Sequence, residues 1–454
     1  MKNIYLVFLA YLLTTNAATA QQRWQEKPLG IKKLFPFQIS TVNERVAWVA
    51  TWSGNFAVSP WRFTDIAHHF SRTIDGGQTW ISGSFPVVGT TGYTDNIMGV
   101  SADTAFIAHY SYAEGGLVYR TYDGGLNWSK VLARGRGMSW VHFWNLKSGI
   151  ALSANEFGSF GIFKTNDTGD NWSRTPPAQI APALSSEVPY AGVYAATGNT
   201  VLFSTSQRRV FRSTDKGDNW TMTPMPSPTQ ELNSISCDGK GNCLISGGNY
   251  ADSLQFTGRF YSSQDTGLTW TPLPINQFCG TEIKYIPNTS VAITSVRKNN
   301  RPKDGKFTTM ITADHGQTWQ VIDTTTRIFA FGMVNRTTGF ATEYQNDTTD
   351  AMVYRYVGSP LSGLWHTEIL RGQFDIFPNP VATDKLTLSL EGFETGNYML
   401  LVNSINGALM HRQNIQLDTK QQIILSTINW QSGVYTLTLT SAKGSVTRKV
   451  VKTN

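Results

Sequence analysis

The stretch Thr73-Ile-Asp75-Gly-Gly77-Gln-Thr79-Trp80 recurs five more times before residue 320. Each copy, which we call a box, has a Ser or Thr, then Asp, Gly and Trp at fixed positions. The box aspartates are Asp75, Asp123, Asp167, Asp215, Asp265 and Asp314. Successive aspartates are 48, 44, 48, 50 and 49 residues apart. A fixed period in this range indicates a solenoid, a propeller or an array of repeats.

The residue types of the box are those of a tight hairpin turn. The Asp carboxylate can accept backbone N–H bonds across the turn, and the Gly can adopt a positive φ without steric cost. The Trp begins the next strand and can pack between neighbouring sheets. Strand-like sequence precedes each box, for example at residues 116–120 and 209–212. Three or four strands in 44 to 50 residues make one propeller blade.

These repeats resemble the Asp-box, or bacterial neuraminidase repeat, of sialidases and related propellers. In that family the box is a structural turn between the third and fourth strands of a blade, away from the active site. The resemblance therefore implies an all-β fold in which the six box aspartates are structural and not catalytic.

The spacing predicts seven blades, between about residue 24 and residue 370. Trp365 lies 46 residues after the last box Trp, Trp319, so it would end a seventh blade whose box has lost its Asp. Six blades is the alternative. We assign residues 21–372 to this propeller.

Residues 373–454 form a different segment, predicted to be a small β-sandwich because alternating strands are separated by Gly and Asn turns. The segment resembles the type A sorting domain of the type IX secretion system. The matching sequences are Phe377-Pro-Asn-Pro380, Asn406-Gly407, Gly433-Val434-Tyr435 and Lys449-Val-Val-Lys452. The resemblance implies recognition by the secretion machinery, transport across the outer membrane and removal of this domain. A carbohydrate-binding sandwich is the alternative.

Residues 1–20 have the parts of a signal peptide: Lys2, an apolar run over 4–13 and the end Ala18-Thr19-Ala20. A signal anchor is the alternative. Either predicts export, so the protein is expected to be secreted or at the cell surface. The net charge of +7 comes from scattered basic residues, which argues against a nucleic-acid partner.

The sequence has three cysteines, and two of them predict a disulfide. Cys237 and Cys243 flank the turn-rich segment Asp-Gly-Lys-Gly-Asn, which would bring the thiols close in an exported protein. Cys279 is left over, and these spacings make no zinc site. We expect no metal, no cofactor and a monomer.

Candidate site residues lie between blades and in the second hairpin of each blade, which would form the face opposite the boxes. Aromatic rings beside polar groups suit sugars, and the ligand-binding candidates are Trp61, Arg62, His69, Tyr112, Arg136 and Trp140. The catalytic candidates are Asp65, His142, Glu187 and Tyr190, with Glu282 and Lys284 among further polar groups. Structural roles are the alternative: packing between blades for Trp140, and solvent exposure for Glu187.

Three functions stay open. A surface propeller that binds a glycan or a protein without catalysis is preferred. A glycan-active hydrolase with two carboxylates, or a lyase, is the second, and a structural or adhesive protein is the third. Sialidase activity is not predicted, because the Arg-Ile-Pro motif of sialidases is missing and its nearest counterpart, Ser59-Pro60-Trp61-Arg62, does not match.

Overall fold

The computed structural model describes residues 23–32, 34–53, 68–87, 92–226, 231–248, 258–273, 279–297, 307–343, 350–361, 368–369, 372–404, 409–418, 420–441 and 444–453. Strands dominate these residues, and a single 3-10 turn covers Pro177–Gln179. Contacts divide the chain into two units, Met1–Gly363 and Leu364–Asn454.

The described residues of the first unit form seven four-stranded antiparallel sheets, which we call blades. Strand β1 (Trp24–Lys32) belongs to blade 7. Blade 1 contains β2 (Leu34–Thr41), β3 (Ala47–Ser53), β4 (His69–Thr73) and β5 (Ile81–Ser84). Blade 2 contains β6 (Gly92–Gly99), β7 (Ala105–Ser111), β8 (Gly115–Thr121) and β9 (Ser129–Arg134). Blade 3 contains β10 (Met138–Phe143), β11 (Gly149–Glu156), β12 (Ser159–Thr165) and β13 (Ser173–Arg174).

The remaining blades continue in chain order. Blade 4 contains β14 (Pro189–Thr197), β15 (Thr200–Thr205), β16 (Arg209–Ser213) and β17 (Thr221–Pro224). Blade 5 contains β18 (Glu231–Cys237), β19 (Cys243–Gly248), β20 (Gly258–Ser263) and β21 (Thr271–Pro272). Blade 6 contains β22 (Cys279–Tyr285), β23 (Ala292–Arg297), β24 (Phe307–Thr312) and β25 (Gln320–Asp323). Blade 7 contains β26 (Ile328–Met333), β27 (Gly339–Glu343) and β28 (Asp350–Tyr356), with β1 as its fourth strand.

The first strands of the blades contact one another in a closed ring. Each of β2, β6, β10, β14, β18 and β22 contacts the first strand of the next blade, and β26 returns to β2. The first strands therefore surround the axis of a seven-bladed propeller, and the fourth strands lie on its outside. The all-β propeller fold and the disulfide between Cys237 and Cys243, with an S–S distance of 2.01 Å, confirm the sequence predictions.

The closure of the ring differs from the sequence prediction. We expected the chain up to Trp365 to complete blade 7, but the N-terminal strand β1 pairs with β28 instead. Trp24 opens β1 opposite Tyr356 and is buried. Trp24 directly precedes the residue that pairs with Arg355, which lies in the third strand of blade 7. The box residue Trp128 directly precedes the residue that pairs with Arg120, which lies in the third strand of blade 2. Trp24 therefore takes the position of a box Trp, while Trp365 lies outside the described residues.

Polar side chains join neighbouring blades near the axis. Gln38 Oε1 accepts a hydrogen bond from the N–H of Ile97 at 2.6 Å, which links blade 1 to blade 2. Asn96 Oδ1 accepts from the N–H of Val141 at 2.9 Å in the same way. Because a buried N–H without a partner is costly, these side chains stabilise the contact between blades.

A second set of links lies next to the boxes. In four of the six boxes the residue before the box Ser or Thr is basic and reaches the next blade, as when Arg120 Nη1 donates to the carbonyl of Thr168 at 2.8 Å. Arg212 donates to the carbonyl of Thr266 at 2.8 Å. The box period therefore also repeats a contact between blades.

The second unit has two sheets, with strand orders β29-β36-β35-β32-β33 and β30-β31-β34. Its strands are β29 (Glu368–Ile369), β30 (Gln373–Phe377), β31 (Lys385–Glu391), β32 (Gly396–Ser404), β33 (Leu409–Leu417), β34 (Lys420–Ser426), β35 (Gly433–Ser441) and β36 (Gly444–Lys452). Both sheets contribute to one apolar core, including Leu388 and Leu437. Asn379 joins the two ends of the unit, since it donates to the carbonyl of Lys449 at 2.9 Å and accepts from the N–H of Val451 at 3.0 Å.

Candidate functional site

The six box turns use their polar atoms internally. In the second box, Thr121 Oγ1 donates to Asp123 Oδ1 at 2.9 Å and accepts from the N–H of Gly125 at 2.9 Å. The third box is alike, and the backbone and side-chain N–H groups of Asn171 hold the pKa of Asp167 at about 2. Carboxylates that are ionised and already hydrogen-bonded have little capacity left for a ligand.

The box turns lie at the same end of the propeller as the hairpin between the first and second strands of each blade. The N–H of Gly124 donates to the carbonyl of Asp103, at 2.9 Å, across these two turns. Since strand direction alternates within a blade, the segments between blades and the second hairpins form the opposite end. We call the two ends the box face and the opposite face.

Among the cavities lined by the described residues, two lie along the axis. The larger, of about 380 Å³, is lined by residues from all seven first strands and includes their ends toward the box face, such as Thr41 and Met333. The smaller, of about 150 Å³, is lined by residues nearer the opposite face, among them Phe37, Asp95 and Phe329. The smaller cavity therefore belongs to the end where the sequence predicted a ligand site.

The smaller cavity is built by β-bulges. Each of the seven first strands shifts register against its second strand near the start, for example between Thr94 and Asn96. A bulge leaves one residue unpaired and re-aims its side chain. Unpaired bulge residues that line the cavity are Phe37, Asp95, Asn233 and Phe329, together with residues 191–193 of blade 4.

The bulge of blade 4 is the largest, since residues 190–193 lie between the paired positions Pro189 and Tyr194. Gly192, with φ of +67°, lies against other blades near the axis: a Cβ there would be 2.9 Å from the carbonyl of Asp95 and 3.4 Å from Gln38 Nε2. Gly192 and Tyr194 line both cavities. This excursion of β14 therefore crosses toward blades 1 and 2 and narrows the channel between the cavities.

Aromatic rings form one side of the smaller cavity. Phe37 and Trp52 are stacked with ring centroids 4.3 Å apart. The indole N–H of Trp52 donates to the carbonyl of Thr94 at 2.6 Å, which fixes the ring against blade 2. Phe329, from blade 7, packs edge-on against Phe35 at 4.7 Å.

Charged groups form the rest of the cavity wall. Asp95 is 4% exposed, and its Oδ1 has no hydrogen-bond partner among the described residues. Burial raises the pKa of Asp95 well above its ordinary value. Glu282 accepts from the N–H of Phe331, and its Oε1 lies 3.1 Å from Lys284 Nζ. The cavity therefore holds one paired carboxylate and one carboxyl group whose Oδ1 is unpartnered.

The ligand-binding candidates from the sequence are dispersed. Trp61 and Arg62 lie outside the described residues, as does the catalytic candidate Asp65. Tyr112 is 63% exposed at the end of blade 2, and Arg136 is exposed before β10. None of the described residues lining the smaller cavity is one of these candidates.

Trp140 and His142 lie on β10 and pack against blade 4. Trp140 is fully buried and stacks on Tyr194, with ring centroids 4.7 Å apart. His142 contacts the same tyrosine and lines the larger cavity, and burial lowers its pKa to about 4. Tyr190 lies in the β14 excursion.

Glu187 is buried and held by several donors. Arg209 donates to both of its carboxylate oxygens, through Nε at 2.9 Å and through Nη2, and the N–H of Leu184 donates at 2.8 Å. Arg209 Nη2 also donates to the carbonyl of Pro182. This ion pair fixes the segment before β14, so the solvent-exposed alternative does not describe Glu187.

His69 belongs to a cluster of three histidines between blades 1 and 2. Its ring stacks on His68 at 4.5 Å, and burial together with the charge of His68 lowers its pKa. Phe85 contacts both His68 and His109. His109 is fully buried, and burial with the charge of His68 lowers its pKa to about 4.

The comparisons with known proteins agree with this architecture. Residues 375–453 match the secretion system C-terminal sorting domain. The protein is therefore exported by the type IX secretion system and is located at the cell surface or secreted. Among the described residues, no helix has the length and apolar character needed to cross a membrane. None of the curated proteins matches the sequence.

Solved structures of propellers resemble the chain at low identity. The structure described as YCF48 bound to D1 peptide has 14% identity and a TM-score of 0.52, and the match covers 74% of this chain and 96% of that one. YCF48 from Cyanidioschyzon merolae has 14% identity and a TM-score of 0.49, with coverage of 74% and 98%. PorZ, a surface component of the type IX secretion system of Porphyromonas gingivalis, has 10% identity and a TM-score of 0.33, with coverage of 90% and 68%. At these identities the similarity to YCF48 concerns the fold alone.

Proposed function

We propose that this protein is a surface propeller that binds an extracellular glycan at the smaller cavity without catalysing a reaction. The observation that carries the proposal is the set of groups at the bulges: the stacked pair Phe37 and Trp52, with Asp95, Asn233 and Glu282 around one cavity. Rings can stack on the apolar face of a sugar, while carboxyl and amide groups bond its hydroxyls.

The contacts and pKa values of the described catalytic candidates support the absence of a catalytic role. The carboxylate of Glu187 is engaged by Arg209, Thr205 and the N–H of Leu184, so it has no free oxygen for general acid–base work. His142 is half-buried, and a pKa of about 4 leaves it a weak base at neutral pH. Hydrolase or lyase activity remains the alternative, through residues such as Asp65.

A peptide is the second candidate ligand. A propeller of the same fold, YCF48, is described as bound to the D1 peptide. In this chain the smaller cavity places both signs of charge, Glu282 and Lys284, beside aromatic rings, which suits a mixed peptide segment as well as a sugar.

We also propose the finer assignments made from the sequence. The six turns are Asp-boxes of the sialidase-like type. Residues 1–20 are a signal peptide, 21–372 the propeller and 373–454 the sorting domain, and the protein acts as a monomer. An adhesive role is compatible with these assignments, since an adhesin also binds a surface ligand.

Glycan and peptide arrays probed with the full chain test the binding proposal. The informative variant is Trp52→Ala, and Trp172→Ala is its matched control. Both indoles are partly buried and donate to a backbone carbonyl, Trp52 to Thr94 and Trp172 to Gly169 at 3.0 Å, but Trp172 lies at a box turn. We expect Trp52→Ala to weaken binding at least about tenfold, as loss of a stacking ring does, and Trp172→Ala to leave it unchanged. Equal binding by both variants would place the site elsewhere.

A further inference from the structure

Asp95 is an unusual group for the wall of a cavity. It is the unpaired bulge residue of β6, so the pairing of β6 with β7 does not set its direction. Its side chain lines the smaller cavity, is only 4% exposed, and leaves Oδ1 without a partner among the described residues. A buried polar atom without a partner destabilises the folded state. Such an atom therefore indicates a function other than stabilising the core.

The charges around the cavity are unequal. Of the described residues that line it, Asp95 and Glu282 are acidic and Lys284 alone is basic. Lys284 Nζ lies 3.1 Å from Glu282 Oε1, so its charge already has a partner. Among the described residues, no basic group pairs with the carboxyl group of Asp95, which is left for a cation from a ligand.

The apolar part of the cavity fits the same ligand. The rings of Phe37, Trp52 and Phe329 line it, and aromatic faces attract cations, most strongly when water is excluded. A cavity of about 150 Å³ holds a molecule of roughly the size of benzene, which is about the bulk of a butylammonium group.

We propose that the smaller cavity binds a primary alkylammonium group, with Asp95 as its carboxylate partner and Phe37, Trp52 and Phe329 around its carbon atoms. The positive charge of the ammonium stabilises the ionised form of Asp95, and the ammonium donates to Oδ1. The group can come from a lysine side chain or from an amino sugar. The inference rests on the proposed function in that it uses the same cavity, and it names the chemistry recognised there.

The test compares two probes of equal length on the full chain by isothermal titration calorimetry at fixed ionic strength and neutral pH. The probes are n-butylammonium chloride and n-butanol, which differ in the charged group. Asp95→Asn keeps the size of the side chain and removes its charge. Asp170→Asn is the matched control, since Asp170 is paired with Arg120 on the exposed surface of the propeller.

We expect butylammonium to bind at least about tenfold more tightly than butanol, and Asp95→Asn to lose at least about tenfold while Asp170→Asn loses nothing. Equal binding of the two probes overturns the inference, as does equal behaviour of the two variants. The comparison of probes on the unmodified chain decides the question even if Asp95→Asn does not fold.

Two further pairs of probes separate the sources of the ammonium group. Nα-acetyl-lysine amide against Nα-acetyl-norleucine amide tests a peptide, and glucosamine against N-acetylglucosamine tests an amino sugar. Preference for the charged member of either pair supports the inference. Glycan binding that Trp52→Ala removes but Asp95→Asn retains would leave the proposed function standing and overturn the ammonium site. Ammonium binding with no glycan bound on the array would support the ammonium site and contradict the proposed glycan-binding function.

Discussion

His109→Phe should remove a large part of the acid sensitivity of the propeller. His109 is fully buried on β7, its ring packs on Phe85 at 5.4 Å and Tyr119 at 6.2 Å, and its Nε2 has no partner among the described residues. Burial, with the charge of His68 added, lowers its pKa from 6.5 to about 4. Phe has a similar shape and cannot take up a proton, so the variant isolates the titration.

The magnitude follows from the two pKa values. In the unfolded chain the imidazole takes up a proton near pH 6.5, but in the folded protein it does so near pH 4. Between these values the unfolded state binds the extra proton, so acid lowers the free energy of unfolding by about 1.4 kcal/mol per pH unit. Over this window His109 therefore costs about 3 kcal/mol, a cost that is absent above pH 6.5 and complete below pH 4.

Denaturant unfolding of the full chain at several pH values between 7 and 4, followed by tryptophan fluorescence, measures this term. His109→Phe should lose about 3 kcal/mol less than the unmodified protein across the window. His411→Asn, at a surface position of the second unit, is the control and should follow the unmodified protein. If His109→Phe loses as much stability on acidification as the unmodified protein, His109 is not the buried neutral group that the structure shows.

Three other substitutions test contacts outside the cavity. Thr121→Val removes the acceptor of the half-buried Gly125 N–H and should lower the free energy of unfolding by about 1–3 kcal/mol, measured by denaturant unfolding against the unmodified chain; an unchanged value would show that the box hydroxyl is dispensable. Glu187→Ala leaves the charge of Arg209 buried and should cost about 3–5 kcal/mol in the same assay, whereas Glu187→Ala together with Arg209→Met should recover part of that loss. Asn379→Ala breaks both bonds between the ends of the second unit and should reduce the surface-exposed fraction of the protein in cell fractionation; normal surface levels would contradict a role for this contact in sorting.

The fold could be predicted from the sequence because the box is a local structure. Thr121, Asp123 and Gly125 contact one another over at most four residues, so the turn depends on neighbours in the chain and leaves a repeated pattern. The disulfide is local for the same reason, since its cysteines are six positions apart in the chain. The spacing of 44 to 50 residues between boxes then predicted the blades.

Ring closure could not be predicted in the same way. The pairing of β1 with β28 joins residues more than 300 positions apart, and no pattern in either strand identifies the other. Trp24 lacks the Asp and Gly of a box, because it enters its blade from the start of the chain and not from a turn. An in-period Trp at position 365 therefore appeared to be the better candidate.

Apart from Glu282 and Lys284, the residues of the smaller cavity escaped prediction because they lie on strands and not on the loops where the candidates were sought. Alternation along β6 assigns residues to opposite faces, but the bulge between Thr94 and Asn96 breaks the alternation at Asp95. No composition rule marks such a bulge in one strand. Bulges in five of the first strands (β2, β6, β14, β18 and β26) contribute unpaired residues to one wall, since closure of the ring brings these bulges together around the axis. A site on paired strands is also held more rigidly than one on loops, which favours selective binding of a small charged group. The unpartnered carboxyl group of Asp95 lowers the stability of the fold. The fold tolerates this loss because the hydrogen bonds between blades, such as that between Gln38 and Ile97, hold the surrounding strands in place without Asp95.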